Sequence, residues 1–399
     1  MIPVQEALKI IERETHRLEP ERIDLSEAVG RVLAEKVAAD TDLPPFDRSQ
    51  MDGYAVVAGD TRKAPVDLKL VGESAAGRGW HQKMKRGEAV RIMTGAPLPP
   101  GADAVQKIEL TTENSEASTV TILEPTEKER YIIRQGSEIK KGDVVFEPGE
   151  VITENMVAAL AAFGYARVRV GKRVRAAILS TGSEIVAINQ RPKPDQIRNS
   201  NSAMLAALCR KSRIEPRMLP IAGDDVAQVK ASIRAGAKNA DILIITGGVS
   251  VGKYDHTKTA LAELGAEIFF DKLRLKPGKP MVFARLGKTL VFGLPGNPVS
   301  SAVTFYLFVR AAAMQLAGAR DVHLREGVAV LAKDVKGAKE RDTYLPVSLE
   351  TNRRGMLIAT PLKWSGSSDF IGFARSSGLA VVPAGKRLAR DKTARILFF

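Results

Sequence analysis

Between residues 175 and 317 the chain alternates short apolar stretches with segments of helical periodicity, and this pattern constrains the fold most strongly. Strands that alternate with helices of about 10–15 residues form βαβ units, whose strands pair in a parallel sheet covered by helices on both faces. We therefore predict a doubly wound, largely parallel α/β domain over residues 173–317. Its predicted strands are RAAILS, EPRMLPI, DILIIT and AEIFF, followed by the hairpin MVFARLGKTLVFG and a helix from Val299 to Leu316.

The segments on either side of this domain have different patterns of apolar and polar residues. Helical spacing predicts a helix from Val4 to Leu18, a short one from Ser26 to Gly30 and a third over residues 149–164. These belong to an expected N-terminal helical domain, formed by residues 1–40 and 140–172. Short alternating runs with glycine and proline predict an inserted β-rich module over 41–139 and a separate small β domain over 318–399.

Composition excludes several classes of protein. The single cysteine, Cys209, rules out an internal disulfide and a cysteine-based zinc site, and we expect it to be packed as a small hydrophobic residue. The net charge of +14 favours anionic partners. The basic residues are dispersed, and RVRVGKRVR at 167–175 is typical of the exposed face of an edge strand, so we expect no nucleic-acid partner. No signal-peptide or membrane-spanning pattern is found, which favours the cytoplasm.

Unusual residues follow the predicted strands of the α/β domain. Ligands of open parallel sheets bind in the crevice outside the carboxyl ends of the strands. The loops expected there carry three carboxylates, three lysines and glycine-rich turns. Their notable residues are Ser180, Thr181, Gly182, Glu184, Asp224, Gly247, Gly248, Ser250, Asp255, Lys272, Lys276, Lys279, Pro280, Pro295 and Asn297.

These residue types suit a phosphorylated ligand. Glycines before a helix let backbone N–H groups approach a phosphate, and lysines add positive charge. Carboxylates beside a phosphate would repel it unless a cation such as Mg²⁺ lies between them, so Glu184, Asp224 and Asp255 are candidate metal ligands. A plainer interpretation stays open, because Asp224 and Asp255 stand where aspartate commonly caps a helix.

Six motifs, spread over the whole chain, resemble those of the molybdopterin molybdenumtransferase family, which includes bacterial insertases, the plant insertase domain and the gephyrin E domain. They are FDRSQMDGYA (46–55), RIMTGAPLPPGADAV (91–105), STGSE (180–184), GGVSVG (247–252), LKPGKP (275–280) and GLPGNPVS (293–300). The resemblance implies insertion of molybdate into adenylated molybdopterin with release of AMP, in the presence of Mg²⁺. It also implies that the C-terminal domain is a β barrel.

The resemblance further implies roles for individual residues. Functional groups would be Asp52, Thr94, Glu184, Asp224, Asp255, Lys272 and Lys276. Molybdate would be bound by Ser250, Lys276, Lys279, Pro280, Arg341 and Ser367. The chain departs from the family at Ser183, at Glu138 in the segment Gly136-Ser137-Glu138 and at the segment RSSG (375–378).

Assembly and partners are also implied by the resemblance. It predicts a homodimer whose clefts form between subunits, and the upstream molybdopterin adenylyltransferase as a candidate partner. Two other functions stay open at the level of sequence: a protein that binds molybdopterin without catalysis, and a scaffold. Nucleic-acid binding, suggested by charge alone, is a third, which a steep salt dependence on generic DNA would reveal.

Overall fold

The computed structural model describes residues 1–248, 256–362 and 366–399. The chain divides into two compact units, which are described separately below. The larger unit comprises Met1–Glu35, Pro148–Val157 and Arg167–Phe399, and the smaller unit comprises Lys36–Glu147 and Ala158–Ala166.

A six-stranded sheet forms the centre of the larger unit. Its strands lie in the order Glu215–Met218, Arg175–Ser180, Ile242–Thr246, Thr289–Leu294, Pro280–Leu286 and Glu267–Lys272. The first four strands are parallel, whereas the last two are each antiparallel to their neighbour. The predicted largely parallel sheet is therefore confirmed, with an antiparallel hairpin at one edge.

Helices cover both faces of this sheet. Alternate residues of each central strand point to opposite faces, so Ile178 and Ile244 join one core while Leu179 and Ile245 join another. The first core receives the helices Ser200–Lys211 and Pro298–Leu316, and the second receives Val226–Ala237 and His256–Glu263. The domain is doubly wound as predicted. Cys209 is fully buried in the first core, and burial raises its pKa to about 12, which confirms its packing role.

The helix Pro298–Leu316 is a core helix. It consists of Pro298–Thr304, a π-helical turn Phe305–Val309 and Arg310–Leu316. Within the described parts of the chain it alone is long and apolar enough to cross a membrane, and 83% of its apolar window is buried inside the protein. Its apolar character is explained by that packing.

The N-terminal helix is shorter than predicted. It spans Val4–Glu14, and Thr15 is already extended. The side-chain amide of Gln315 donates to the backbone oxygens of Glu12 (2.6 Å) and Thr15 (3.0 Å), so the end of the helix is satisfied by a residue distant in sequence. Leu18 lies outside the helix but still packs against the first core. The predicted helix from Ser26 is only the 3₁₀ turn Leu25–Glu27.

A pair of strands and one more helix also lie near the N-terminal helix in the sequence or follow the inserted module. The strands Glu21–Asp24 and Arg167–Val170 form an antiparallel pair, in which Val168 and Val170 are buried and the intervening arginines are exposed. The pattern RVRV is therefore the solvated edge strand that its alternation predicts. The helix predicted over 149–164 spans Glu154–Ala162.

The smaller unit is β-rich, as predicted for the inserted module. Its six-stranded sheet has the order Ala104–Lys107, Gly53–Val56, Glu88–Ile92, Val66–Ser74, Thr119–Ile122 and Thr111–Asn114. Tyr54 and Ile122 are buried on one face and Val90 and Ile92 on the other. Two short pairs accompany the sheet: Arg48–Ser49 with Ile132–Ile133, and Val37–Ala38 with Val144–Phe146.

The C-terminal strands close into a barrel. They pair in the order Asp342–Thr351, Leu357–Pro361, Glu326–Leu331, Thr393–Phe398 and Gly378–Val382, and the last pairs again with the first. The expected barrel is thus confirmed. A strand of only two residues, Leu275–Lys276, joins Asp342–Thr351 in parallel and connects the barrel to the doubly wound domain. Outside the barrel strands lie the pair Val335–Lys336 and Arg387–Leu388 and the short helix Phe370–Phe373.

Candidate functional site

A cleft of about 1350 Å³ lies at the carboxyl edge of the doubly wound sheet. The strands ending at Ser180, Thr246 and Leu294 all finish at this edge, because they are parallel and in register. Of the residues predicted from sequence to lie there, those that line the cleft are Ser180, Thr181, Gly182, Glu184, Asp224, Gly247, Gly248, Pro280, Pro295 and Asn297.

The floor of the cleft depends on two adjacent glycines. Gly247 and Gly248 have φ angles of 94° and 62°, which side chains rarely adopt. A Cβ at Gly247 would lie 2.4 Å from the backbone oxygen of Thr181, and one at Gly248 would lie 2.7 Å from Oγ1 of Thr257. The backbone N–H of Thr181 also donates to the oxygen of Thr246 (3.0 Å). Only glycine therefore allows this close approach of the two loops.

Asp224 is not the residue that caps the following helix. That helix spans Val226–Ala237, and its cap is Asp225, whose Oδ1 accepts from the backbone N–H of Gln228 at 2.8 Å. The interpretation of Asp224 as a cap is therefore wrong. The cap lies one residue later in the pair of aspartates, so the Asp224 carboxylate is left for another role.

Asp224 instead accepts two hydrogen bonds from Ser183. Oδ2 receives the Ser183 hydroxyl and the Ser183 backbone N–H, the latter at 3.0 Å. The hydroxyl, followed by the N–H, lowers the pKa of Asp224 below its ordinary value, and the charge of His256 adds to the effect. An exposed carboxylate is thus kept ionised in the wall of the cleft. Ser183, noticed in the sequence only as a departure from the family, is the residue that positions it.

The second carboxylate, Glu184, also lines the cleft. A Cβ at Gly182 would lie 2.4 Å from its Oε2, so the glycine makes room for this side chain. Within the described residues no group of three histidine, cysteine or acidic side chains is placed to bind a metal. Asp255 and Ser250 lie outside the described residues. Glu184 and Asp224 therefore supply the two carboxylates of the cleft whose positions are known, and carboxylate oxygens are what Mg²⁺ prefers.

Asn201 is a cleft residue that the sequence did not single out. Its side-chain NH₂ donates to Oγ1 of Thr246 (2.9 Å) and to the oxygen of Gly296 (2.7 Å), which ties two loops of the cleft together. Within the described chain, Oδ1 of Asn201 and Oγ1 of Thr181 are buried without a hydrogen-bond partner. Buried polar atoms are rarely left without a partner, so these two atoms are exceptions in the residues that line the cleft.

The predicted cationic residues are not brought into the wall of this cleft. Lys272 ends the edge strand Glu267–Lys272, and Lys276 lies on the short strand that pairs with the barrel. Nη1 of Arg341 donates to the backbone oxygen of Leu275 at 3.4 Å, so Arg341 and Lys276 lie at the same junction. Lys279 is exposed in the connecting loop.

Ser367 and Asn297 connect the barrel to the cleft. Nδ2 of Asn297 donates to Oγ of Ser367 at 2.9 Å, and the backbone N–H of Val299 donates to the oxygen of Ser367 at 3.1 Å. Both residues were predicted as ligand-binding, and the structure places them in direct contact. They hold the segment after Gly366 against the beginning of the helix Pro298–Leu316.

Asp52 and Thr94 form a pair in the smaller unit. Oδ1 of Asp52 accepts from the backbone N–H of Thr94 (2.7 Å) and from its hydroxyl (2.9 Å). These two hydrogen bonds lower the pKa of the exposed Asp52 carboxyl. The two predicted residues, 42 positions apart, are therefore brought together. Glu138, in the same unit, forms an ion pair with Arg48 at 3.2 Å.

A doubly wound domain with a glycine-lined cleft at its carboxyl edge, followed by a closed barrel, defines a class of multidomain α/β proteins whose ligands bind outside the carboxyl ends of the strands. Three known families match the chain in order. The MoeA N-terminal region (domain I and II) matches residues 2–164, the probable molybdopterin binding domain 177–315, and the MoeA C-terminal region (domain IV) 328–396.

Relatives and solved structures agree with these matches. The molybdopterin molybdenumtransferase of Bacillus subtilis is 34% identical over 392 residues, covering 97% of this chain and 91% of that protein. That of Staphylococcus aureus strain COL is 33% identical over 390 residues, with 97% and 92% covered. The crystal structure of the molybdopterin biosynthesis MoeA protein from Pyrococcus horikoshii OT3 matches all of both chains with a TM-score of 0.86 and 30% identity. The chain belongs to the molybdopterin molybdenumtransferase family, which confirms the resemblance of its motifs.

Proposed function

We propose that this chain inserts molybdate into adenylated molybdopterin and releases AMP, the molybdenum-insertion step of molybdenum cofactor biosynthesis. The observation that carries the proposal is the Asp224 carboxylate, which lines the cleft, is kept ionised by Ser183 and is not needed as a helix cap. A carboxylate at the carboxyl edge of a doubly wound sheet is suited to a phosphorylated ligand when a cation mediates the contact.

The residues of the cleft divide the task of binding the adenylate. Gly247 and Gly248 line the cleft, and their backbone N–H groups are proposed to bind a phosphate. Asn201 and Thr181 line the cleft and are proposed to contact the rest of the ligand. Glu184 and Asp224 would hold Mg²⁺, which supplies positive charge against the phosphates when bound. To release AMP, water attacks a phosphorus of the phosphoanhydride, and the bridging P–O bond breaks to give AMP and molybdopterin with its own phosphate. An ionised Asp224 can orient that water by accepting a hydrogen bond from it.

The molybdate pocket is proposed at the junction with the barrel. Lys276, Lys279, Pro280 and Arg341 carry or flank positive charge there, and Arg341 is tied to the strand of Lys276 through Leu275. Fixed cations that donate hydrogen bonds suit a tetrahedral oxyanion. Ser367 contacts Asn297 in the cleft wall, which supports its inclusion, and Ser250 is included from the motif alone. Lys272 is proposed to assist from the end of its edge strand.

Assembly is part of the same proposal. We infer a homodimer in which Asp52 and Thr94 of one subunit complete the cleft of the other, with Asp255 as a further carboxylate of that site. The support is that both residues are exposed and that two hydrogen bonds from Thr94 fix the position of the Asp52 carboxylate. The four-domain division, the cytoplasmic location and the upstream molybdopterin adenylyltransferase as donor of the substrate belong to this proposal as well.

The proposed function is tested by measuring the release of AMP. Purified protein is incubated with adenylated molybdopterin, Mg²⁺ and molybdate, and AMP is quantified by chromatography. Release of AMP that depends on both ions is expected. A protein that binds molybdopterin without catalysis, or acts as a scaffold, would bind the adenylate and release no AMP, and this outcome would refute the proposed activity. Omission of Mg²⁺ alone tests the metal.

A further inference from the structure

An aromatic side chain, that of Phe370, lies exposed in the cleft. Phe370 lines the cleft and is 47% exposed, and Ile197, which also lines it, is 58% exposed. Exposed large apolar side chains are ordinary when scattered over a surface, but Phe370 and Ile197 line the same cleft, where a ligand can cover apolar side chains.

The position of Phe370 is fixed by its neighbours. It begins the short helix Phe370–Phe373, which Asp369 caps by accepting from the backbone N–H of Gly372 at 3.0 Å. Phe373 packs against the ring of Phe399, with ring centroids 6.3 Å apart. On the other side, Ser367 is held by Asn297. The helix is thus anchored at both ends while the ring of Phe370 is left open.

We propose that Phe370 is the stacking surface for a flat heteroaromatic ring of the substrate, with Ile197 adding apolar contact in the same cleft. This inference rests on the proposed function, because adenylated molybdopterin carries ring systems next to the phosphates that the glycine floor would bind. Two rings share the required chemistry, the adenine and the pterin. Stacking on an aromatic side chain uses the face that both present.

The neighbouring Ile371 provides a matched control. It is 71% exposed, more than Phe370, and it is on the same short helix, but it is not among the residues that line the cleft. If the exposed apolar groups served to bind another protein, both side chains would contribute. If they serve the substrate, only Phe370 would matter.

The test compares ligands with and without a ring. Affinities of AMP, ribose 5-phosphate and molybdopterin are measured by calorimetry for the wild type, Phe370→Leu, Phe370→Tyr and Ile371→Ala. Phe370→Leu is expected to weaken a stacked ligand by about 5- to 150-fold and to leave ribose 5-phosphate unchanged. Phe370→Tyr retains the aromatic face and should bind as the wild type does, as should Ile371→Ala.

Each outcome has a distinct meaning. A loss confined to AMP assigns the adenine to Phe370, and a loss confined to molybdopterin assigns the pterin; either result supports the stacking role. Unchanged affinities in Phe370→Leu, or equal losses for ribose 5-phosphate, overturn it while AMP release by the wild type still stands. Failure of the wild type to bind any of the ring ligands overturns the proposed function and this inference together.

Discussion

Asp224 and Asp225 are neighbouring exposed aspartates with different contacts, and replacing each one separates catalysis from helix capping. Asp225 accepts from the backbone N–H of Gln228 and caps the helix Val226–Ala237. Asp224 accepts only from Ser183 among the hydrogen bonds of the described chain and faces the cleft. The two variants differ by one position and can be purified and assayed side by side.

For Asp225→Ala we expect lower stability and unchanged AMP release. Loss of an aspartate cap costs about 1 kcal/mol of unfolding free energy. For a domain of this size that corresponds to a fall in melting temperature of roughly 2–4 °C. Asp225 is not among the residues that line the cleft, so we expect the cleft of this variant to keep its geometry and its lining carboxylates.

For Asp224→Asn we expect the opposite pattern. The amide oxygen can still accept from the backbone N–H of Ser183, so the unfolding free energy should change by no more than about 0.5 kcal/mol. The lost charge removes a cation ligand and the acceptor proposed to orient water. Removal of one oxyanion-hole donor raises the barrier by about 2.7–4 kcal/mol, or about 10²–10³ in rate, and we expect a loss of similar size for Asp224→Asn.

The assay combines chromatographic quantification of AMP with thermal unfolding of both variants. Wild-type AMP release by Asp224→Asn would refute the catalytic assignment. An equally large loss of activity in Asp225→Ala would show that the order of the loop, and not the Asp224 carboxylate, governs the reaction.

Three other predictions follow from the site. Ser183→Ala removes the hydroxyl that contributes most to the lowered pKa of Asp224, so the acid limb of AMP release should move to higher pH; an unmoved pH profile would exclude Asp224 as the titrating group. Lys279→Ala combined with Arg341→Ala should weaken molybdate use more than adenylate binding, measured as separate affinities, and equal losses would contradict the proposed pocket. Mixing Asp52→Asn and Asp224→Asn proteins should restore about a quarter of wild-type AMP release, because about half of the dimers are mixed and each mixed dimer has one intact site of two. Mass spectrometry first verifies that the subunits exchange. Mixed dimers without recovery of activity would place the whole cleft in one chain.

Much of the doubly wound domain could be predicted from sequence because its signals are local. Apolar strands, intervening helices and the carboxyl-edge rule together located ten of the residues that line the cleft. The glycines of the floor were recognisable for the same reason, since their role depends on their own backbone. The inserted β-rich segment and the barrel strands were likewise evident from alternation and turn residues.

What sequence could not provide depends on contacts between distant segments. The choice between Asp224 and Asp225 as cap is a difference of one residue, which only the backbone geometry decides. The early end of the first helix depends on Gln315, some 300 positions away. Ser183 and Asn201 form hydrogen bonds with residues of other loops, so the sequence around each of them does not indicate its role. The signal that could have identified Asn201 is that it is a polar residue at the start of a helix, at the carboxyl edge of the sheet.

The turn that joins the strand Leu275–Lys276 to the strand Pro280–Leu286 lies between the cleft and the proposed molybdate pocket. Pro280 lines the adenylate cleft, whereas Lys276, four residues earlier, lies on the strand that joins the barrel. Gly278 lies between them with a φ of 115°, and a Cβ there would lie 2.8 Å from Cγ2 of Thr304 in the buried core helix. The turn is therefore packed against the buried helix Pro298–Leu316. Because the cleft and the proposed molybdate pocket share this turn, we expect the packing of Gly278 against Thr304 to set the distance between them.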